Sequence, residues 1–157
     1  MSRTKSRERP RYFSTSVPAG TTLEHIRQML VRYKADRLML YQDLQEGHVG
    51  VEFVWQGAAI RLSVSADRIL ERLEGCSGIS KQQRSRDHAM KVGLRLILHY
   101  LENAFEMLDW EIMSPAEVFM PYLILPGTQR TLKDVFIDKG GMIKLEALQA
   151  LPKPKEK

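Results

Sequence analysis

Val49-Gly50-Val51-Glu52-Phe53-Val54-Trp55, followed at once by Gln56-Gly57 and then by Ala59-Ile60-Arg61-Leu62-Ser63-Val64, decides the fold. Val49, Val51, Phe53 and Trp55 fall on one face of the first run. In the second, Ile60, Leu62 and Val64 alternate with Arg61 and Ser63. Alternation of period two marks half-buried strands, and the Gln56-Gly57 step suits a tight hairpin. Upstream, Arg37–Tyr41 reads as a further strand, joined through the loop Asp43–Gly47. The three runs form an antiparallel meander with one buried face, which needs a cover.

The covers lie on either side. Leu23, Ile26, Leu30 and Tyr33 have helical spacing behind Thr21 and Thr22, which predicts a capped helix over about 22–34. Residues 67–73 read as a short helix and 74–82, with Gly75, Ser77, Gly78 and Ser80, as a loop. Met90, Leu94, Ile97, Leu101, Ala104, Phe105 and Leu108 then make the apolar stripe of a long helix over about 83–109. Ser114-Pro115 opens a short helix that Pro121 ends. Tyr122–Leu125 reads as a fourth strand, and Thr131 caps a last helix, Leu132–Phe136. The fold class is α+β: an N-terminal helix, a three-stranded meander, a long C-terminal helix, a fourth strand and a short final helix.

The chain has 157 residues, 43% hydrophobic and 27% charged, enough for one packed domain. Its formal net charge of +5 is unevenly placed. Residues 1–19 carry Arg3, Lys5, Arg7, Arg9 and Arg11 against Glu8 alone. Residues 138–157 carry five lysines against three acids. The stretch 20–137 is therefore close to neutral. This divides the chain into a basic arm over 1–19, expected to be disordered when free, a domain over 20–137 and a basic tail over 138–157. The arm has no apolar core of a signal peptide, and no run approaches a membrane span, so the expected location is the cytoplasm.

The long helix repeats the asymmetry. Lys81, Arg84, Arg86, Lys91 and Arg95 face only Asp87 over residues 80–99, whereas Glu102, Glu106, Asp109, Glu111 and Glu117 crowd 101–118. Positive charge beside the free N–H groups of a helix start suits phosphate. Arg84, His88, Lys91, Arg95 and His99 also recur at steps of three and four, as a polar stripe that could track a nucleic-acid backbone. An ordinary solvated face has the same pattern.

No cofactor, metal site or catalytic constellation is read. Cys76 stands alone in a Gly-Ser loop, His25 and His48 are isolated, and the acids of 102–111 lack partner ligands elsewhere. Trp55 and Trp110 read as core or rim rather than base-stacking residues. The expected function is that of a non-enzymatic nucleic-acid-binding accessory protein, using Arg3, Lys5, Arg7, Arg9, Arg11, Lys81, Arg84, Arg86, Lys91 and Arg95. The alternative is a protein-binding adaptor or inhibitor acting on a nucleic-acid-processing complex, a nucleoprotein partner to which it turns its acidic half-helix. A homodimer through the long helix is a further expectation.

Two resemblances add to this. The order helix, meander, helix, with Gly47–Phe53 in the second strand and Ser80-Lys81-Gln82-Gln83-Arg84 opening the last helix, loosely resembles double-stranded-RNA-binding domains over 22–101. That likeness implies lysines gripping phosphates across a groove. The helix at 67–73 and the single Lys81 depart from the pattern. Separately, Ser16-Val17-Pro18, Tyr33-Lys34-Ala35-Asp36, Val51–Gly57 and Phe119–Gly127 make residues 14–137 look like a group of short uncharacterised proteins of phages and mobile elements. That resemblance implies an origin but no activity.

Overall fold

The structure, a computed structural model, describes residues 9–138. The order is α1 (Ala19–Arg32), β1 (Arg37–Asp43), β2 (His48–Trp55), β3 (Ala58–Ser65), α2 (Ala66–Glu74), α3 (Arg86–Asp109), α4 (Pro115–Phe119), a 3-10 turn (Met120–Tyr122) and α5 (Leu132–Asp138). The strands form one antiparallel sheet in the order β1-β2-β3. Gln56 and Gly57 both take positive φ (50° and 77°) in the β2–β3 turn, the twist a two-residue hairpin requires.

α1 and α3 lie together on one face of the sheet, and α2 packs beside α3. The core has two parts. Ile26, Leu30, Val51, Phe53, Trp55, Ile97, Leu101, Phe105 and Phe119 fill the larger one, under α1 and the C-terminal half of α3. Val49, Ala66, Leu73, Cys76, Ile79, Ala89 and Leu94 fill the smaller, under α2 and the N-terminal half. Gly93 lets α3 approach the sheet between them; a Cβ there would lie 2.7 Å from Val64 Cγ2.

Several expectations change. α1 starts at Ala19, with Pro18 at its cap, and Thr22 sits fully buried inside the helix rather than capping it. The backbone of Pro18 already has the extended ψ of a cap (147°), so the helix begins earlier. α3 starts at Arg86. Gln83 N–H donates to Ser80 Oγ in a separate turn, and Ser85 then caps the helix by accepting from His88 N–H at 3.2 Å. The fourth strand shrinks to two bridges, Ile60 with Leu123 and Ile124 with Thr131. Pro121 and Pro126 bracket the segment and shorten it. Cys76 and Ile79 are buried, which anchors the expected loop at 74–82; Cys76 Sγ donates to the Arg72 carbonyl at 3.2 Å.

Arg61, read on the polar face of its strand, is 6% exposed. Its guanidinium bonds Glu52 Oε1 at 2.7 Å and the Gln129 carbonyl at 2.6 Å, and lies 4.2 Å from the Tyr41 ring centroid. It thereby ties the 123–131 segment over the outer face of the sheet. Among the described residues, no helix is long and apolar enough to cross a membrane.

Candidate nucleic-acid interface

Residues 9–18 lie along the first half of α3. Tyr12 and Phe13 supply the reason: they are the aromatic residues of an otherwise basic and polar arm, and they bury surface there. Phe13 packs against the smaller core, and its carbonyl accepts from His88 Nε2 at 2.7 Å. The Tyr12 ring meets His99 edge-on at 6.1 Å and lies 5.2 Å from the Arg95 guanidinium. Arg11 Nη1 bonds His99 Nε2 at 2.9 Å, and the Arg9 guanidinium sits over Gly78. The arm and the basic half of α3 therefore share a side. Arg3, Lys5 and Arg7 lie outside the described residues.

This packing overturns the solvated polar stripe. His88 is buried, and Arg95 and His99 are half-covered by Tyr12. Arg84 precedes the helix. Arg86 turns toward α2 and pairs with Asp67 at 3.2 Å, and Lys91 pairs with Asp87 at 2.9 Å. Both pairs are largely exposed and weak. Lys81 and Arg84 remain exposed and form no ion pair among the described residues. The helix start is also less open to phosphate than expected, because Ser85 takes one of its amides and Asp87 stands in its first turn.

What replaces the stripe is a cleft of about 410 Å³ between the arm and the start of α3. Ser14, Thr15 and Ser16 form one wall and Ser80, Gln82, Gln83 and Ser85 the other, with His88 and the Asp87–Lys91 pair also in the lining. Lys81 and Arg84 alternate with the lining residues along the 80–85 turn. Hydroxyls, amides and backbone N–H groups flanked by cations are the usual contacts to phosphate oxygens. The uncharged lining residues went unnoticed in the sequence. Their signal was the density of Ser, Thr and Gln beside each basic run.

The other end of α3 is different. Tyr33, Trp55, Phe105, Leu108, Ile112 and Met113 line a groove of about 530 Å³, bounded by Asp109, Glu111 and Glu117. Tyr33 stacks on Phe105 at 4.0 Å and donates to Asp109 Oδ2 at 2.5 Å, a bond that raises the phenol's pKa. Trp55 Nε1 donates to the Tyr33 carbonyl at 2.9 Å, which satisfies its one donor in the core. Trp110 is 72% and Ile112 66% exposed beside the groove.

The class these features define is an α+β domain with two helices on one face of a three-stranded meander and one long helix of opposite-signed ends. No family model, curated protein or solved structure matches the chain. Among the described residues, no group of three or more His, Cys, Asp or Glu is placed to hold a metal.

Proposed function

We propose that the protein is a non-enzymatic nucleic-acid-binding accessory protein whose contact surface is the Ser/Thr-lined cleft at the start of α3. One observation carries the reading: the arm bearing Arg9 and Arg11 lies along α3, and between it and the 80–85 turn that carries Lys81 and Arg84 runs a cleft of hydroxyl and amide side chains with Lys91 in its lining. The remaining basic residues of the arm would extend the contact along the phosphates. The phage or mobile-element setting rests on the resemblance over 14–137. The test is binding of the full chain to short RNA and DNA duplexes at two salt concentrations. Replacing Lys81, Arg84 and Lys91 by Glu should weaken binding and make the salt slope for duplex DNA shallower by about 3, near 0.9 per lost phosphate contact. Absence of binding at low salt would overturn the reading.

The groove at the opposite end favours a second reading, an adaptor or inhibitor that holds a basic protein segment. Its apolar floor and acidic rim suit aliphatic side chains flanked by Lys or Arg. A partner that survives nuclease treatment and is lost on Trp110→Ala with Ile112→Ser would support it. Capture that disappears with nuclease would count against it.

A further inference from the structure

β1 is an open edge. It pairs with β2 over all seven residues, from Arg37↔Val54 to Asp43↔His48, without a bulge. No strand among the described residues pairs with its other side. The far edge of the sheet is treated differently, since Ile124 N–H donates to the Ala59 carbonyl and Leu123 bridges Ile60. Along β1, alternate N–H and C=O groups point outward, a template for another strand. The usual protections, a proline, a bulge or a lysine within the edge, are missing. Met39 is 59% and Leu40 52% exposed, on opposite faces of the same edge.

We propose that β1 pairs antiparallel with β1 of a second copy, about a two-fold axis through Leu40, to make a six-stranded sheet. The strand Arg37-Leu38-Met39-Leu40-Tyr41-Gln42-Asp43 is complementary to itself in this register. Arg37 faces Asp43 of the second copy at both ends, Met39 faces Tyr41, and Leu40 faces its own counterpart. Opposed residues share a face, so α1 and α3 of both copies cover the same side of the joined sheet. A slip of two residues puts Arg37 opposite Tyr41, or Asp43 opposite Met39, and loses both charge pairs. Neither Arg37 nor Asp43 has an ion pair within the described residues. Both bonds that Asp43 accepts in its own turn, from Gln45 N–H and Glu46 N–H, use Oδ1. The proposal is independent of the nucleic-acid reading.

The test uses the full chain. Sedimentation should show a concentration-dependent dimer that Arg37→Glu weakens at least tenfold and that Arg37→Glu with Asp43→Arg recovers. Circular dichroism on each variant separates lost pairing from lost folding. Leu40→Cys should form a disulfide-linked dimer on mild oxidation, because directly opposed residues have Cα atoms about 4.5–5.5 Å apart, within disulfide reach. Leu44→Cys, also exposed but beyond the register, should not. Cys76 is buried and contributes little background. A monomer up to about 1 mM overturns the proposal. So does a dimer indifferent to Arg37→Glu that gives no cross-link through position 40, which would place the contact elsewhere.

Discussion

The two ends of α3 belong to one helix of 24 residues, yet the chain treats them in opposite ways. Toward the start, Tyr12 and Phe13 of the arm lie over His88, Arg95 and His99, and the space left between arm and helix is polar. At the finish, acidic side chains surround an apolar floor that no described segment covers. The difference is not one of core quality. Trp55 meets Phe105 and Phe119 edge-to-face beneath the acidic end, and Phe105 tilts against Phe119, with ring centroids 5.5–5.7 Å apart. The beginning of α3 rests on aliphatic residues, Val49, Leu73 and Ile79, with Ala66 and Cys76 beside them.

Substitutions at matched aromatic positions should break this contrast most sharply. Phe105→Ala should lower the unfolding free energy by about 3–5 kcal/mol in denaturant titration, because the ring is 1% exposed and the space cannot collapse. Phe13→Ala should cost less, about 1–2 kcal/mol, since its ring is only partly buried. Its effect should also be local: amide exchange should quicken over residues 88–91 while the C-terminal half of α3 stays protected.

A smaller effect of the opposite sign is expected at the acidic end. Glu111, just past the cap residue Trp110 of α3, has φ of 54°, and the Ile112 N–H bonds back to the Met107 carbonyl at 3.0 Å, a helix stop that favours glycine. Glu111→Gly should raise stability by up to about 1 kcal/mol, because the relief of a left-handed side chain outweighs the added chain entropy. The same change removes one rim charge, so a basic partner of the groove should bind less tightly to a more stable protein.

Acid should act finely on the same region. The Ser114 N–H and hydroxyl, which both donate to the Glu117 carboxylate, hold its pKa below the usual value. A depressed carboxylate pKa stabilises the fold above the unfolded value and loses that contribution as pH falls through the folded one. Amide protection in α4, taken relative to the intrinsic exchange rate at each pH, should therefore fall below about pH 4, the ordinary glutamate range. Exchange in the first turn of α3, capped by the Ser85 hydroxyl, should not follow it.

The meander and its hairpin were legible because period-two alternation and Gln56-Gly57 depend on neighbours in sequence. The long stripe of α3 was legible for the same reason. What sequence reading missed depends on distant segments. Arg61 looked solvent-facing because the segment that buries it lies 68 residues away, at Gln129. Lys91 and Arg95 looked like a free cationic track because nothing local announces that Tyr12 will lie on Arg95. The Ser and Thr lining of the cleft carried only a compositional signal, which gained meaning once the arm and the 80–85 turn were seen to face each other.

The bond from His88 to the Phe13 carbonyl joins residues 75 apart. Synthesis runs from the amino end, so Tyr12 and Phe13 leave the ribosome well before the helix that receives them. During that interval the arm presents two bare aromatics among arginines, beside a machine built of RNA. Docking onto α3 is then an act of withdrawal as well as of folding, and the moment when α3 forms decides how long those two rings stay uncovered.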